Sequence, residues 1–309
     1  MPSLQARFFN RAVRLLIKRQ RWGRDEKATA RRARRLFGSP KPLRWFYTLG
    51  LHLQSVNEKG VRGEWIQMKQ SEQSVILYIH GGGFVSCSAE THRPITVALA
   101  RMTRFRVFSS DYRLAPEHRF PSALDDVFAG YRWLLEQNIP ASKISLAGDS
   151  AGGGLVLGLL LRLRDAGLPL PACAVCFSPW SDLAGTGDSV RANANLCAMF
   201  YAENIHEFAA AYLGKTSTLN PQASPVFADF HDLPPILFQV GSTEILLDDS
   251  RRIHKKIQAS GGTSELEIYD DVFHCWQMLN GFVPEARTAL RQAAEFIRRF
   301  SQNQNPAQK

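Results

Sequence analysis

The chain has 309 residues, of which 45% are hydrophobic and 21% charged, a composition that allows a large globular core. It has no run of about 18 apolar residues, which excludes a membrane-spanning helix. We expect no signal peptide, because the basic start lacks a continuous apolar segment and a cleavage site of small residues. The five cysteines are odd in number and scattered, so we expect reduced thiols and a cytoplasmic protein.

The net charge of +10 is concentrated at the amino terminus. Residues 1–45 contain 14 Lys and Arg against two acids, whereas the rest of the chain is nearly neutral. Apolar residues alternate with these cations between positions 4 and 17, which predicts a basic amphipathic helix. We expect its apolar stripe to pack on the main body, with weak contact to an anionic membrane surface as the alternative. No nucleic-acid-binding motif is present, so no nucleic-acid partner is expected.

Apolar runs and helical patterns alternate along the chain. Strands are predicted at 62–69, 75–79, 105–110, 144–147, 171–177, 233–240 and 265–269. Helices are predicted over most of 1–45 and at 91–103, 123–137, 155–163, 250–259 and 284–300. This alternation predicts an α/β fold, a mostly parallel sheet with helices on both faces. Residues 181–224 break the rhythm and are expected above the carboxyl edge of the sheet, where such folds bind ligands.

The most informative motif is GDSAG at 148–152, which follows an apolar strand and opens a helical run. This is the Gly-x-Ser-x-Gly pattern in a strand–turn–helix setting. A serine on so tight a turn projects its hydroxyl out of the backbone, and glycines at 148 and 152 avoid Cβ clashes in the bend. The start of the following helix favours developing negative charge. The pattern therefore predicts Ser150 as a nucleophile.

A serine hydroxyl needs a base and an acid that orients the base, and in this fold the chain order is serine, acid, histidine. His274 lies in the loop between the last predicted strand and the terminal helix, so we predict it as the base. Glu244 is the first acid after the strand at 233–240 and is the predicted orienting acid. Asp248 remains an alternative for that role.

A second glycine-rich segment, HGGGF at 80–84, also follows a predicted strand. The amides of Gly82 and Gly83, together with that of Ala151, are predicted to form the hole that binds an oxyanion. The C-x-x-C at 173–176 lies in an apolar run without a second pair of ligands, so we expect no metal and no cofactor.

Four blocks resemble the hormone-sensitive-lipase-type esterases (bacterial family IV) of the α/β-hydrolase superfamily: HGGGF at 80–84, DYRLAPE at 111–117, GDSAGG at 148–153 and FH at 273–274. The resemblance implies the α/β-hydrolase fold, with Ser150 as nucleophile, His274 as base and, 30 residues before it, Glu244 as acid. Most members carry Asp at this acid position.

The resemblance further implies a helical cap formed by residues 1–45 and by an insertion at about 182–222, with the catalytic domain spanning 46–309. His80 is expected to hold the glycine loop and Asp149 to anchor the elbow at Ser150. Arg113 and Glu117 are expected to pair with each other.

The implied function is a serine carboxylesterase that cleaves short- to medium-chain acyl esters of small molecules through an acyl-enzyme. A lactone hydrolase or deacetylase with the same triad is the alternative, and SPWSDL at 178–183 also occurs in such relatives. A non-catalytic ligand-binding protein of the same fold is disfavoured, because such proteins lack the catalytic histidine and this chain has His274. Phe84 and Trp276 are candidate substrate-binding walls, with core packing an equal interpretation. The sequence is compatible with a homodimer and does not determine the oligomeric state.

Overall fold

The computed structural model describes residues 1–19, 25–38 and 48–302. Within these ranges the strands are β1 His52–Glu58, β2 Val61–Gln67, β3 Glu72–Ile79, β4 Phe105–Ser110, β5 Ile144–Asp149, β6 Cys173–Phe177, β7 Ile236–Gly241 and β8 Ser264–Tyr269. The α-helices of the described residues are α1 Leu4–Val13, α2 Glu26–Leu36, α3 Arg93–Thr103, α4 Ser122–Glu136, α5 Ala151–Asp165, α6 Asp188–Ala192, α7 Glu203–Leu213, α8 Leu247–Ala259 and α9 Pro284–Gln302.

The strands form one sheet in the order β1-β2-β4-β3-β5-β6-β7-β8. The pairs β1–β2 and β2–β4 are antiparallel, and all later pairs are parallel. The inner strands β5, β6 and β7 are buried along their whole length, as expected where helices cover both faces of a parallel sheet. The predicted mostly parallel α/β architecture is confirmed.

Two apolar layers separate the sheet from its helices. On one face, α3 and α9 pack against the sheet through residues such as Leu99 and Ile297. On the other face, α4, α5 and α8 pack through residues such as Leu134, Leu157 and Ile253. Because β3, β5, β7 and β8 all run in the same direction, the loops at their carboxyl ends lie at one edge of the sheet.

The amino-terminal helix lies against the main body. Its inner side, which includes Ala6, Phe9 and Val13, packs into an apolar cluster with residues of α9 and of the loop after β8. A single π-helical turn, Arg14–Lys18, continues α1. The expected packing of the arm on the body is therefore confirmed only in part: Val13 and Ile17 face inward, whereas Leu4, Phe8, Leu15 and Leu16 are exposed. Residues 20–24 and 39–45 of the predicted arm lie outside the described residues.

Hydrogen bonds tie this arm to the insertion between β6 and β7. The Arg14 guanidinium donates to the carbonyl of Leu196 at 2.6 Å. The Lys18 ammonium is buried and donates to the carbonyls of Ala194 and Cys197, both at 2.7 Å. The arm and the insertion, which carries α6 and α7, thus contact each other directly.

No helix among the described ranges combines the length and the apolar character that crossing a bilayer requires.

The predicted pairing of Arg113 with Glu117 is wrong. Arg113 forms a two-pronged ion pair with Asp126 of α4, at 2.7 and 2.9 Å. Glu117 instead accepts from Arg34 of α2, with Nη2–Oε2 at 2.6 Å. The two side chains leave the intervening loop in different directions, so each joins the loop to a different helix.

Candidate active site

Ser150 lies at the turn between β5 and α5 in a strained backbone conformation. Its φ of 52° and ψ of −123° are unusual for a residue with a side chain, and such a conformation costs roughly 1–3 kcal/mol. The surrounding backbone holds it in place. Its amide donates to the Phe177 carbonyl at 2.8 Å, and its carbonyl accepts from the Trp180 amide at 2.9 Å. The end of β6 and the loop after it therefore hold Ser150 in this strained conformation.

Close packing of the α5 start against β3 requires glycine at position 152. A Cβ there would lie 2.1 Å from the Ile79 carbonyl oxygen and 2.5 Å from that of His80, both backbone atoms that cannot give way. The contact brings the glycine loop that follows β3 beside Ser150. Gly152 therefore sets the distance between the two motifs that the sequence singled out.

The structure brings Ser150, His274 and Glu244 together. His274 Nε2 lies 2.8 Å from Ser150 Oγ, and His274 Nδ1 lies 2.6 Å from Glu244 Oε2. All three residues are buried. An ionised carboxylate can only accept, so Nδ1 carries the hydrogen and the Nε2 lone pair faces the serine hydroxyl. This arrangement can take the proton of a serine that attacks a carbonyl.

A second set of donors fixes the Glu244 carboxylate. Its other oxygen, Oε1, accepts from the Gly241 amide at 2.7 Å and from the Ser178 hydroxyl at 2.6 Å. The alternative acid, Asp248, is engaged elsewhere, since it accepts from the Ser189 amide at 2.8 Å and pairs with Arg251. The structure thus brings Glu244, and not Asp248, to the imidazole.

Asp149 anchors the glycine loop next to the serine. Its Oδ1 accepts from the Gly81 amide at 3.0 Å and from the Tyr78 hydroxyl at 2.6 Å. Its Oδ2 lies 3.1 Å from Nε2 of His92. Burial opposes ionisation of this carboxyl, but the charge and hydrogen bonds of His92 and the Tyr78 hydroxyl hold its pKa down, to about 2. Asp149 therefore remains a carboxylate that positions the loop.

His80 supports the same loop from below. Its Nδ1 donates to the Gly81 carbonyl at 2.7 Å, and its ring stacks on Tyr112 with centroids 4.3 Å apart. Complete burial, reinforced by the neighbouring His92, lowers the pKa of His80 to about 4. The contact of His80 agrees with its expected role of holding the glycine loop, and Asp149 joins the elbow at Ser150 to the same loop.

Gly82 and Gly83 line the same cavity as Ser150 and His274. Both have positive φ, 110° and 62°, and Gly82 closes a turn by accepting from the Ser86 amide. Ala151 is the first residue of α5, directly after the serine. The three predicted oxyanion-hole residues thus lie around Ser150, and Ala151 begins a helix whose dipole favours an anion.

The cavity has a volume of about 280 Å³ and is mostly apolar. The arm contributes Val13, Ile17 and Phe37 to its lining. The insertion contributes Met199, Phe200, Asn204, Ile205 and Phe208. The catalytic-side loops contribute Phe273, Met278 and Leu279, and two thiols, Cys87 and Cys275. Burial raises the pKa of both thiols, that of Cys87 to about 12, so neither is an anionic nucleophile.

The prediction that Phe84 and Trp276 are pocket walls is wrong, because neither side chain lines this cavity. Phe84 is buried and stacks on Tyr212 of α7, with centroids 3.8 Å apart. Trp276 is completely buried and packs against Tyr269, with centroids 4.9 Å apart. Both rings belong to the core, which was the alternative interpretation.

Sequence reasoning missed Ser178, which donates to Glu244, and Tyr78 and His92, which lie within hydrogen-bond distance of Asp149. All three are distant in sequence from the groups they hold, and a single sequence carries no signal for such long-range contacts. Among the residues that the structure describes, no group of three or more His, Cys, Asp or Glu is arranged to hold a metal ion. Cys173 and Cys176 are both buried in β6.

Comparisons with known proteins agree with this fold. Residues 76–278 match a protein family described as having the alpha/beta hydrolase fold. An acetyl-hydrolase of Streptomyces hygroscopicus is 40% identical over 76% of this chain and 79% of its own length. An esterase of Acinetobacter venetianus is 38% identical over 80% of this chain and 82% of its own.

Solved structures extend the similarity to almost the whole chain. An esterase of the bacterial hormone-sensitive lipase family superposes with a TM-score of 0.89 at 38% identity, covering 97% of this chain and 99% of its own. An esterase/lipase from an uncultured bacterium superposes with a TM-score of 0.88 at 35% identity, with the same coverage. The chain therefore belongs to the hormone-sensitive-lipase-type esterases of the alpha/beta hydrolase family and is an ester-hydrolysing enzyme.

Proposed function

We propose that Ser150, His274 and Glu244 are the catalytic triad of this enzyme and that its substrates are esters with short to medium acyl chains. The single observation that supports this most strongly is the continuous hydrogen-bonded chain from Glu244 through His274 to Ser150, which ends in an apolar cavity. A carboxylate, an imidazole and a hydroxyl in this sequence are the parts that acyl transfer to serine requires.

In the first half of the reaction, Ser150 Oγ attacks the ester carbonyl while His274 Nε2 takes the hydroxyl proton. The carbonyl oxygen becomes an oxyanion, which the amides of Gly82, Gly83 and Ala151 stabilise. Each such donor contributes about 3 kcal/mol to the transition state. The intermediate then expels the alcohol, which receives the proton from His274, and leaves an acyl-serine. Glu244 stabilises the imidazolium during this step.

In the second half, a water molecule gives its proton to His274 and attacks the acyl-serine. Collapse of the second oxyanion breaks the bond to Ser150, releases the carboxylic acid and returns the proton to Oγ. The reaction consumes one ester and one water, yields one acid and one alcohol, and needs neither redox chemistry nor an external cofactor.

The substrate class follows from the size and lining of the cavity. We infer that the arm and the insertion, taken as residues 1–45 and about 182–222, act as a cap over the catalytic domain. Side chains of both segments line the cavity, whose volume of about 280 Å³ is just below the ~300–1,000 Å³ of small-molecule sites. Such a space suits a short or medium acyl chain, and one relative bears the name acetyl-hydrolase.

A panel of p-nitrophenyl esters of increasing acyl length tests this proposal. We expect the highest kcat/KM for short or medium chains and a decline for long ones. Ser150→Ala should lower kcat by roughly 10⁴-fold or more, because the nucleophile is lost. Ser217→Ala, an exposed serine of the insertion, serves as the matched control and should retain full activity. Turnover by Ser150→Ala close to that of the wild type would contradict the assignment.

A further inference from the structure

The amino-terminal helix α1 is apolar on two sides. Its inner side packs on the body, yet its outer side also carries large apolar residues: Leu4 is 80% exposed, Phe8 66% and Leu15, in the following turn, 53%. Positions 4, 8 and 15 are separated by four and seven residues, so they form one stripe along the helix. We call this stripe, with the arginines described next, the outer face of α1.

Arginines flank this stripe. Arg7, Arg11 and Arg14 follow one another at spacings of four and three, which places them beside the apolar residues on the same helix. Residues 1–19 contain no acid. Arg7 and Arg11 form no ion pair with any residue in the described ranges, and their side chains are exposed. The outer face of α1 therefore combines exposed apolar side chains with the positive charge of Arg7 and Arg11, which no ion pair within the described residues balances.

The same surface continues on both sides of the helix and lies over the cavity. Phe282, which precedes α9, is 55% exposed and contacts Phe9 with centroids 6.1 Å apart. Leu196 of the insertion is 53% exposed, and its carbonyl accepts from Arg14. On its inner side, the same helical segment contributes Val13 and Ile17 to the cavity lining. One helix thus separates the cavity from this exposed surface.

We propose that the outer face of α1 docks on an anionic lipid surface. Leucine and phenylalanine side chains enter the boundary between headgroups and acyl chains, while the arginines bind lipid phosphates, as in other interfacial amphipathic helices. Docking in this orientation holds the cap side of the cavity against the source of apolar esters.

The chemistry of the face favours lipid over two other occupants. A nucleic acid would engage the arginines but would leave the apolar stripe exposed to water. A second copy of the chain related by two-fold symmetry would bring two faces of the same positive charge together, which like-charge repulsion disfavours. An anionic bilayer satisfies the charge and the apolar side chains together.

Vesicle co-sedimentation tests the proposal, with the Ser150→Ala protein used so that binding is measured independently of hydrolysis. We expect partitioning into vesicles of phosphatidylcholine with phosphatidylserine and much weaker partitioning into phosphatidylcholine alone. Arg7→Gln with Arg11→Gln should weaken binding by roughly fivefold per charge removed. Leu4→Ser with Phe8→Ser should weaken it by roughly tenfold or more.

The matched control is Arg132→Gln with Lys255→Gln, which removes two exposed positive charges from α4 and α8. It should bind like the parent protein. When these substitutions are placed in the active enzyme, hydrolysis of soluble p-nitrophenyl acetate should be unchanged in all three variants, which separates binding from catalysis.

Three results would overturn the proposal. The first is equal pelleting of the parent protein and the arginine variant. The second is binding that the arginine variant loses while the Leu4 and Phe8 variant keeps it, because this indicates a general attraction to polyanions. The third is a change in the sedimentation mass of the free protein when Leu4 and Phe8 are replaced, because this assigns the face to self-association.

Discussion

At the scale of single residues, the carboxylate of Glu244 must be held in one orientation by its neighbours. Glutamate reaches one methylene farther than aspartate and has one more rotatable bond, so its carboxylate needs more restraint to face the imidazole. Ser178 and the Gly241 amide supply this restraint by donating to Oε1, which leaves Oε2 directed at Nδ1 of His274. Ser178 is completely buried and does not line the cavity. We infer that it is a positioning residue.

The Ser178→Ala variant tests this role. Loss of one charge-assisted hydrogen bond weakens the restraint on Glu244, so we expect kcat to fall roughly tenfold. KM should stay unchanged, because the substrate does not contact Ser178. Steady-state kinetics on a short p-nitrophenyl ester measures both constants.

A double-mutant cycle supplies the control. If Ser178 acts through Glu244, its removal should have little further effect in a Glu244→Ala background. An equal tenfold loss in both backgrounds would show that Ser178 acts by another route. Unfolding temperatures of all variants separate this effect from a general loss of stability.

The three residues of the proposed triad could be found from the sequence because a motif and the chain order single them out. Ser150 lies in GDSAG, and His274 and Glu244 follow in the positions expected for this order. Ser178 had no such signal, since its partner lies 66 residues away. Phe84 could not be assigned, because a sequence does not distinguish an aromatic ring in the core from one in a pocket wall.

At the scale of elements, local pattern predicted the inner strands best. Strand β6 was predicted at 171–177 and spans Cys173–Phe177, because a strand buried on both faces is a continuous apolar run. Strand β1, His52–Glu58, was not predicted. It is an edge strand with mostly exposed, polar side chains, so the apolar pattern that identifies strands is absent there.

The segment that follows α1 offers a test of the cap. Ile17 lines the cavity from the arm, opposite the catalytic-side loops. Ile17→Phe adds volume on that side, so we expect the preference among p-nitrophenyl esters to move to shorter acyl chains while acetate hydrolysis is retained. Leu16→Phe is the matched control, because Leu16 is exposed and does not line the cavity. An unchanged chain-length profile in Ile17→Phe would exclude the arm from the acyl site.

At the scale of the whole molecule, the site depends on polar groups buried between the sheet and its loops. Tyr78, His80, His92 and Asp149 are all buried beneath the glycine loop. Such a network holds the loop only while each member keeps its protonation state, because a buried charge without compensation is costly. The protonation of His80 therefore links the stability of the whole fold to pH.

The sign of this dependence follows from the lowered pKa. The unfolded chain protonates His80 near pH 6.5, whereas burial delays protonation in the folded protein until about pH 4. The contribution of His80 to the free energy of unfolding is thus fully present above pH 6.5, and it falls as the pH drops from 6.5 to 4. The full loss is about 3 kcal/mol.

His80→Asn tests this effect, because asparagine retains an N–H near the position of Nδ1 and does not titrate. We expect the variant to be less stable than the wild type at pH 7, since a packed ring is lost, but its stability to fall less between pH 6.5 and 4. Urea unfolding across this range measures the difference in slope. His206→Asn, at an exposed position of α7, should retain the wild-type slope. Parallel pH profiles for the wild type and His80→Asn would mean that another buried group causes the acid sensitivity.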